Sequence, residues 1–262
     1  MKRRKTKSVA EAEITYDLGL LEQSRDKWQA SPALRTVYCD IFKAMARQCI
    51  AGPSLEVGSG IGVAKEAIPD LATSDLIKTD FVDRAVSAYE IPAENWANIL
   101  AMDTLHHLQR PFEFFASAAE ALGPGGRIVL MEPAGTWWGS KFYRWFHHEP
   151  CVPTEVVPPF EFAAQANGEF ANMGMGVGLT CDCRAETDRR LKELGLRIAD
   201  VSYRDFLAYP ATGGFSQRAV LPRFVLRGLL ALEQALPQAL WRRVGLRMII
   251  VIEKSGSTAP RL

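Results

Sequence analysis

Little in this chain favours a charged or membrane-spanning way of life. The net charge is only +1 over 262 residues, so the basic footprint of a nucleic-acid binder is missing. No apolar run reaches the roughly 20 residues that span a bilayer. The opening Met1-Lys2-Arg3-Arg4-Lys5-Thr6-Lys7 is basic, but no apolar stretch follows it. It therefore reads as a solvated tail, with weak contact to anionic lipid as a second reading, and not as a secretory signal. Cysteine is scarce: Cys39, Cys49, Cys151, Cys181 and Cys183 are odd in number and scattered. Cys181-Asp182-Cys183 is too tight for the usual zinc pair and has no second pair to complete it. The five read as reduced thiols of a cytoplasmic protein, and no metal is expected.

What is present is the composition of a globular chain, 48% hydrophobic and 23% charged. Its length suits one large α/β domain or a domain with a sizeable insertion. The organising stretch is Leu55-Glu56-Val57-Gly58-Ser59-Gly60-Ile61-Gly62, followed by the helix-forming Val63-Ala64-Lys65-Glu66-Ala67-Ile68. A strand, a glycine turn and a helix N-terminus make a nucleotide-sized cradle. A dinucleotide fingerprint would require a third glycine where Val63 stands, and so the spacing reads against a nicotinamide enzyme.

Further elements follow in order. Ser31 and Pro32 predict an N-cap and first helical turn, with Leu34, Val37, Tyr38, Ile41, Phe42, Met45 and Cys49 at helical spacing. Strands are expected over 70–75, 82–86, 97–102 and 125–133, and a helix opened by Pro111 and closed by Gly123. Residues 184–193 predict a helix, 196–203 the sixth strand and 246–253 the seventh. The fourth strand runs into Asp103-Thr104-Leu105-His106-His107-Leu108, and the fifth reads Gly125-Gly126-Arg127-Ile128-Val129-Leu130-Met131-Glu132-Pro133.

The pattern E-x-G-x-G-x-G, the acid after the second strand, the Leu-His-His-Leu phrase and the Pro-Gly-Gly-Arg…Glu-Pro phrase occur in that order over about residues 53–134. Together they resemble class I S-adenosylmethionine (SAM)-dependent methyltransferases. The whole chain further resembles bacterial methyltransferase-domain proteins of unassigned substrate that share a His-His-Glu-Pro segment, here His147-His148-Glu149-Pro150. The resemblance implies a Rossmann-like α/β fold: a seven-stranded, mostly parallel sheet with an antiparallel last hairpin, plus helical and loop insertions. It implies a division into a tail and capping helices (1–52), a SAM-binding core (53–134), an aromatic substrate-side insertion (135–194), the last strands (195–254) with a helical insertion at 216–243, and a tail (255–262). Cofactor contacts fall by resemblance on Glu56, Gly58, Ser59, Gly60, Gly62, Asp75, Ser87, Ala88 and Asp103. Asp80 competes with Asp75 for the ribose. Two departures stand out, because the family often has Asp where this chain has Ser87 and usually where it has Asn98.

The insertion crowds Trp137, Trp138, Phe142, Tyr143, Trp145 and Phe146 together. Such aromatics either line a substrate pocket, with Trp137, Trp138, Tyr143 and Trp145 as its walls, or anchor the insertion to the core. The alternation Met173-Gly174-Met175-Gly176-Val177-Gly178 reads as a mobile loop near the opening. In 216–243, Arg223, Arg227, Gln234, Gln238 and Arg242 share one side, and Val220, Phe224, Leu229, Leu232, Leu236 and Leu240 another. That pattern fits a helix covering the sheet, a homodimer seam, a peripheral membrane contact or recognition of an acidic substrate. The expected activity is methyl transfer from SAM to a small-molecule or lipid-linked acceptor at oxygen, with His106, His147 or His148 as the base and His107, Glu132, Glu149 and Tyr143 as further candidates. The alternative is a catalytically silent binding or partner subunit of the same fold, motivated by Ser87 and Asn98.

Overall fold

The computed structural model describes residues 18–164, 170–215 and 217–256. The basic start, at residues 1–7, lies outside them, as does most of the C-terminal tail. Within them, seven strands form one sheet: β1 (Ser54–Val57), β2 (Leu71–Asp75), β3 (Arg84–Ala85), β4 (Trp96–Met102), β5 (Leu122–Pro133), β6 (Leu196–Arg204) and β7 (Arg247–Lys254). The spatial order is β3-β2-β1-β4-β5-β7-β6, parallel except for β7, which runs antiparallel to both neighbours. This is the expected seven-stranded, mostly parallel sheet with an antiparallel last hairpin. Its order reverses between β1 and β4, and ligands of open α/β sheets bind at the carboxyl ends of strands at such a switch point.

Side chains alternate strictly between two cores, one on each face. Ile99 and Ala101 of β4, Ile128 and Leu130 of β5, and Met248, Ile250 and Ile252 of β7 enter one. Leu100, Val129, Met131, Ile249 and Val251 enter the other. Burial on both faces is what a central strand of near-continuous apolar residues requires.

Seven helices of seven residues or more lie among the described residues: α1 (Leu18–Ala30), α2 (Pro32–Ala46), α3 (Pro111–Ala121), α4 (Trp137–Phe146), α5 (Arg184–Glu193), α6 (Arg223–Gln234) and α7 (Gln238–Val244). Ser31 caps α2 as expected, its Oγ accepting from the Leu34 N–H at 3.3 Å. The stripe Leu34, Val37, Tyr38, Ile41, Phe42 and Met45 is fully buried against the second core.

Several expectations are corrected. The helix after the glycine loop is one 3-10 turn, Val63–Glu66, because Pro69 follows too closely for a longer one. The third strand shrinks to Arg84–Ala85. Just before it the Asp83 carboxylate accepts the Thr73 N–H at 2.8 Å, a side-chain bond that replaces a ladder bond. Residues 173–178 are not a loose loop: Met173 and Met175 are buried, and a turn of α-helix there runs into a π-helical turn, Gly178–Asp182. A β-carbon on Gly174, Gly176 or Gly178 would come within 2.4–2.8 Å of Pro153, Met248 or Val156, so these glycines permit close packing.

Residues 217–243 hold two helices, broken before Pro237, and their expected apolar side is only partly covered. Leu226 and Leu230 are buried with α2, while Arg223 donates to Thr36 Oγ1 and Gln234 to Asp40. Val220, Phe224 and Leu232 are 69–77% exposed. Leu229 and Leu236 pack against the cores, while the expected polar side, Arg223, Arg227, Gln234, Gln238 and Arg242, is exposed. No helix among the described residues is long and apolar enough to cross a membrane.

Candidate functional site

Two poles flank the switch point. The first is the turn after β1. Gly58, Gly60 and Gly62 all have positive φ (71°, 54° and 65°), a region costly for residues with a β-carbon. Their surroundings differ. A β-carbon on Gly62 would lie 2.0 Å from the Phe81 carbonyl oxygen, and one on Gly58 2.4 Å from Thr104 Oγ1. At Gly60 it would meet only Leu21 of α1, at 4.0 Å. Gly58 and Gly62 are therefore demanded by the fold, whereas Gly60 leaves backbone bare toward an open approach partly overhung by α1.

The acids around this turn are held in different states. Asp75, at the end of β2, accepts the Gly60 N–H on Oδ2 at 2.7 Å and the Leu76 N–H on Oδ1 at 2.7 Å. A carboxylate has about four acceptor sites, so capacity remains. Asp80 is exposed and away from any strand end. Glu56 is 3% exposed and its Oε2 has no hydrogen-bond partner. Burial pushes it up to about 7, with the Asp75 charge adding to the rise and a Ser59 hydrogen bond opposing it. Ser59 fastens the turn, donating to the Glu56 carbonyl at 3.3 Å and accepting the Ser74 N–H at 3.1 Å.

Ser87 accepts the Tyr89 N–H at 3.1 Å, and Ala88 is buried in the first core. Asn98 is fully buried well away from the turn. It accepts the Ile50 N–H at 2.9 Å and donates to the Ile50 carbonyl at 2.8 Å and to Ser54 Oγ at 2.9 Å. Only an amide can both accept and donate in this way. Asn98 is thus a latch between the chain before β1 and β4.

The second pole lies beyond β4 and β5. Glu132, wholly buried near the end of β5, accepts the N–H groups of Thr104 (3.1 Å) and Leu105 (2.8 Å) and bonds His106 Nδ1 at 2.6 Å. The four histidines of the chain gather round a single carboxylate, Glu149. The Nε2 atoms of His106, His107 and His148 and the Nδ1 of His147 lie 3.6, 3.9, 3.7 and 3.8 Å from its oxygens. The insertion closes this cluster: Asn172 N–H donates to the His106 carbonyl and Met173 N–H to the Pro150 carbonyl, and His107 Nδ1 lies 3.3 Å from the Phe170 carbonyl oxygen.

Burial pulls His106 down, but the Glu132 charge and hydrogen bond, helped by Glu149 and Asp103, outweigh it and raise His106 to about 10. Its expected role as a base at neutral pH is thereby corrected, since it carries its proton there and both ring nitrogens face carboxylates. Burial lowers His107, with the His106 charge adding to the fall, and burial lowers His147. Glu149 is held down at about 2: burial opposes this, and the imidazoles of His106, His107 and His147 prevail. His147 also forms the C-cap of α4, its N–H bonding the Tyr143 carbonyl at 2.8 Å.

Asp103 (φ 52°) ends β4 and pairs at 2.5 Å with Arg247, which is buried at the start of β7 among Tyr38, Tyr143 and Tyr209. Sequence reasoning missed this arginine. Its one signal is a cation placed directly before the apolar run Met248–Ile252. Tyr143, expected in a substrate wall or as a base, is 2% exposed, bonds the Leu246 carbonyl through its hydroxyl, and is pushed well above the usual tyrosine range by burial. It is a structural residue. Trp137 and Trp145 are 66% and 63% exposed, with half-buried Trp138 between them.

No protein-family model matches the chain, and no curated protein matches it. Solved structures do. A SAM-dependent methyltransferase from Thermotoga maritima is 13% identical, with 85% of this chain and 91% of that one covered and a TM-score of 0.50. The Burkholderia thailandensis 1,6-didemethyltoxoflavin N1-methyltransferase, solved with its substrate and S-adenosylhomocysteine, is 13% identical over 92% and 85%, TM-score 0.46. A methyltransferase of Haloferax volcanii, seen in complex with an activator protein, is 12% identical over 90% and 97%, TM-score 0.47. At these identities the likeness is one of fold.

Proposed function

We propose that the chain is a SAM-dependent methyltransferase acting on an oxygen of a small-molecule or lipid-linked acceptor. The observation that carries this reading is the single bare glycine of the first pole, Gly60, set between a buried carboxylate with an unpaired oxygen and a strand-end carboxylate with acceptor capacity to spare. Those features fit SAM: Glu56 offers a partner for a cationic amino group, Asp75 for ribose hydroxyls, and Gly60 a backbone that the ligand can approach closely. Ser59 and Gly62 hold the turn in shape, and Ser87 and Ala88 border it. Bound SAM supplies a methyl carbon made electrophilic by its sulfonium.

What the protein adds is alignment, which contributes roughly 7–11 kcal/mol in favourable cases. Asp103, fixed by Arg247, stands between the two poles. The acceptor is placed by this reading at the second pole, where His147, half-exposed at the end of α4, is the imidazole left to take a hydroxyl proton. Titration calorimetry with SAM and with S-adenosylhomocysteine tests the reading. Wild type should bind both, and Gly60→Val should bind at least about 100-fold more weakly, roughly 2.7 kcal/mol. No binding by wild type, or unchanged affinity in the variant, would sink it. Tight binding without methyl transfer to any hydroxyl acceptor would leave the silent-subunit alternative standing.

A further inference from the structure

We infer that His106, His107, His148 and Glu149 form a binding site for a divalent first-row transition-metal ion of the zinc type, independent of the methyl-transfer reading. The first reason is separation. The distances from Glu149 to the facing nitrogens of His106, His107 and His148, 3.6, 3.9 and 3.7 Å, are too long for hydrogen bonds. Two ligands each about 2.0–2.1 Å from one tetrahedral zinc lie about 3.3–3.4 Å apart, so the Glu149 contacts need close by only a few tenths of an ångström, and side-chain rotation brings the rings together over the larger remaining gaps. His106, His107 and Glu149 place ligand atoms all within 4.8 Å of one another, as do His147, His148 and Glu149.

The second reason is the orientation of the rings. Metal-ligating histidines nearly always give their other ring N–H to a carboxylate or a backbone carbonyl. Both buried-side candidates do so: His106 Nδ1 faces Glu132 Oε2 at 2.6 Å and His107 Nδ1 faces the Phe170 carbonyl oxygen at 3.3 Å. With the proton on Nδ1, His107 Nε2 presents a lone pair toward Glu149, and at His106 the ion takes the place of the Nε2 proton while Glu132 keeps the one on Nδ1. The third reason is charge, since Glu132 and Glu149 supply two negative charges that a divalent ion balances once it has displaced the Nε2 proton of His106. His148, with an 86% exposed side chain and its Nε2 facing the same Glu149 oxygen as His107, is free to swing in as the fourth ligand. His147 differs, because its Nδ1 already accepts the Glu149 N–H, at 3.4 Å.

The test uses the full-length chain without a histidine tag, stripped with chelator and then titrated with Zn²⁺ against a chromophoric competitor and with Co²⁺ by visible absorption. The expected result is one equivalent per chain, submicromolar affinity for Zn²⁺ and the intense visible bands of tetrahedral Co²⁺. His107→Ala and His148→Ala, both at exposed positions, should each weaken binding at least 10-fold and change the Co²⁺ spectrum. Glu132→Gln should weaken it about 10–100-fold, as loss of an orienting partner does. Absence of stoichiometric binding in wild type would overturn the inference and leave an ion-pair cluster only. Binding that the His107 and His148 variants retain in full would overturn it equally, as adventitious surface association.

Discussion

The two poles are built by opposite means. The turn after β1 is made of backbone: three glycines, main-chain amides, and acids from β1 and β2 only 19 residues apart in sequence (Glu56 and Asp75). The end of β4 and β5 is made of side chains brought from four distant segments, at 106–107, 132, 147–149 and 170–173. A site of backbone tolerates almost any neighbouring side chain but no added β-carbon at two of its glycines. A site of side chains is vulnerable at each member, because every one is another's partner.

That contrast can be broken in several places. The largest effect is expected at Glu132, where Glu132→Ala removes the acceptor of three backbone N–H groups, those of Thr104, Leu105 and His106, and the partner of a buried imidazolium. A loss of about 3–5 kcal/mol in urea unfolding is expected, and a loss under about 1 kcal/mol would mean that packing alone holds the second pole. Next come the glycines. Gly62→Ala meets a backbone oxygen that cannot yield, and should cost about 3 kcal/mol or more. Gly60→Ala should cost only the left-handed strain, about 1–2 kcal/mol. Equal losses at the two positions would erase the distinction between a glycine required by the fold and one left bare for a ligand.

A pH dependence sharpens the same pole. Glu56 is raised on folding from 4.5 to about 7, so the native state holds its proton more tightly than the unfolded chain. The favourable contribution is full below pH 4.5 and is lost as pH rises toward 7, up to about 3 kcal/mol over that window. Denaturant titrations at pH 5 and 8 should show that decline, and Glu56→Gln should flatten it. The smallest effects belong to the exposed indoles. Trp137→Ala and Trp145→Ala should change stability by less than about 0.5 kcal/mol. Should they line the acceptor route, KM for the acceptor rises while kcat holds.

The difference between the poles also explains what could be read beforehand. Strands, their order of appearance, the Ser31 cap and the glycine turn are local patterns, and periodicity or spacing carries them. The meeting of His106, His107, His147 and His148 on Glu149 is not local. The histidine pairs lie 40 residues apart (107 to 147), and no metal was expected from their spacing. Asn98 looked like a defect because a motif records residue type, whereas its latch to Ile50 exists only after folding. The packed glycines at 174, 176 and 178 and the exposure of Val220, Phe224 and Leu232 have a similar origin. Hydropathy registers neither how closely a neighbour approaches nor which apolar residues the fold leaves uncovered.

Thr104 joins the two halves. Its hydroxyl fills the space behind Gly58, where a β-carbon would come within 2.4 Å. Its amide is held by Glu132 at 3.1 Å, the same carboxylate that grips His106. One residue therefore touches both the glycine turn and the carboxylate that holds the histidines. Any coupling carried through it must be reciprocal, each end changing the other's affinity by the same factor, and Thr104→Ser is the substitution that would reduce that factor.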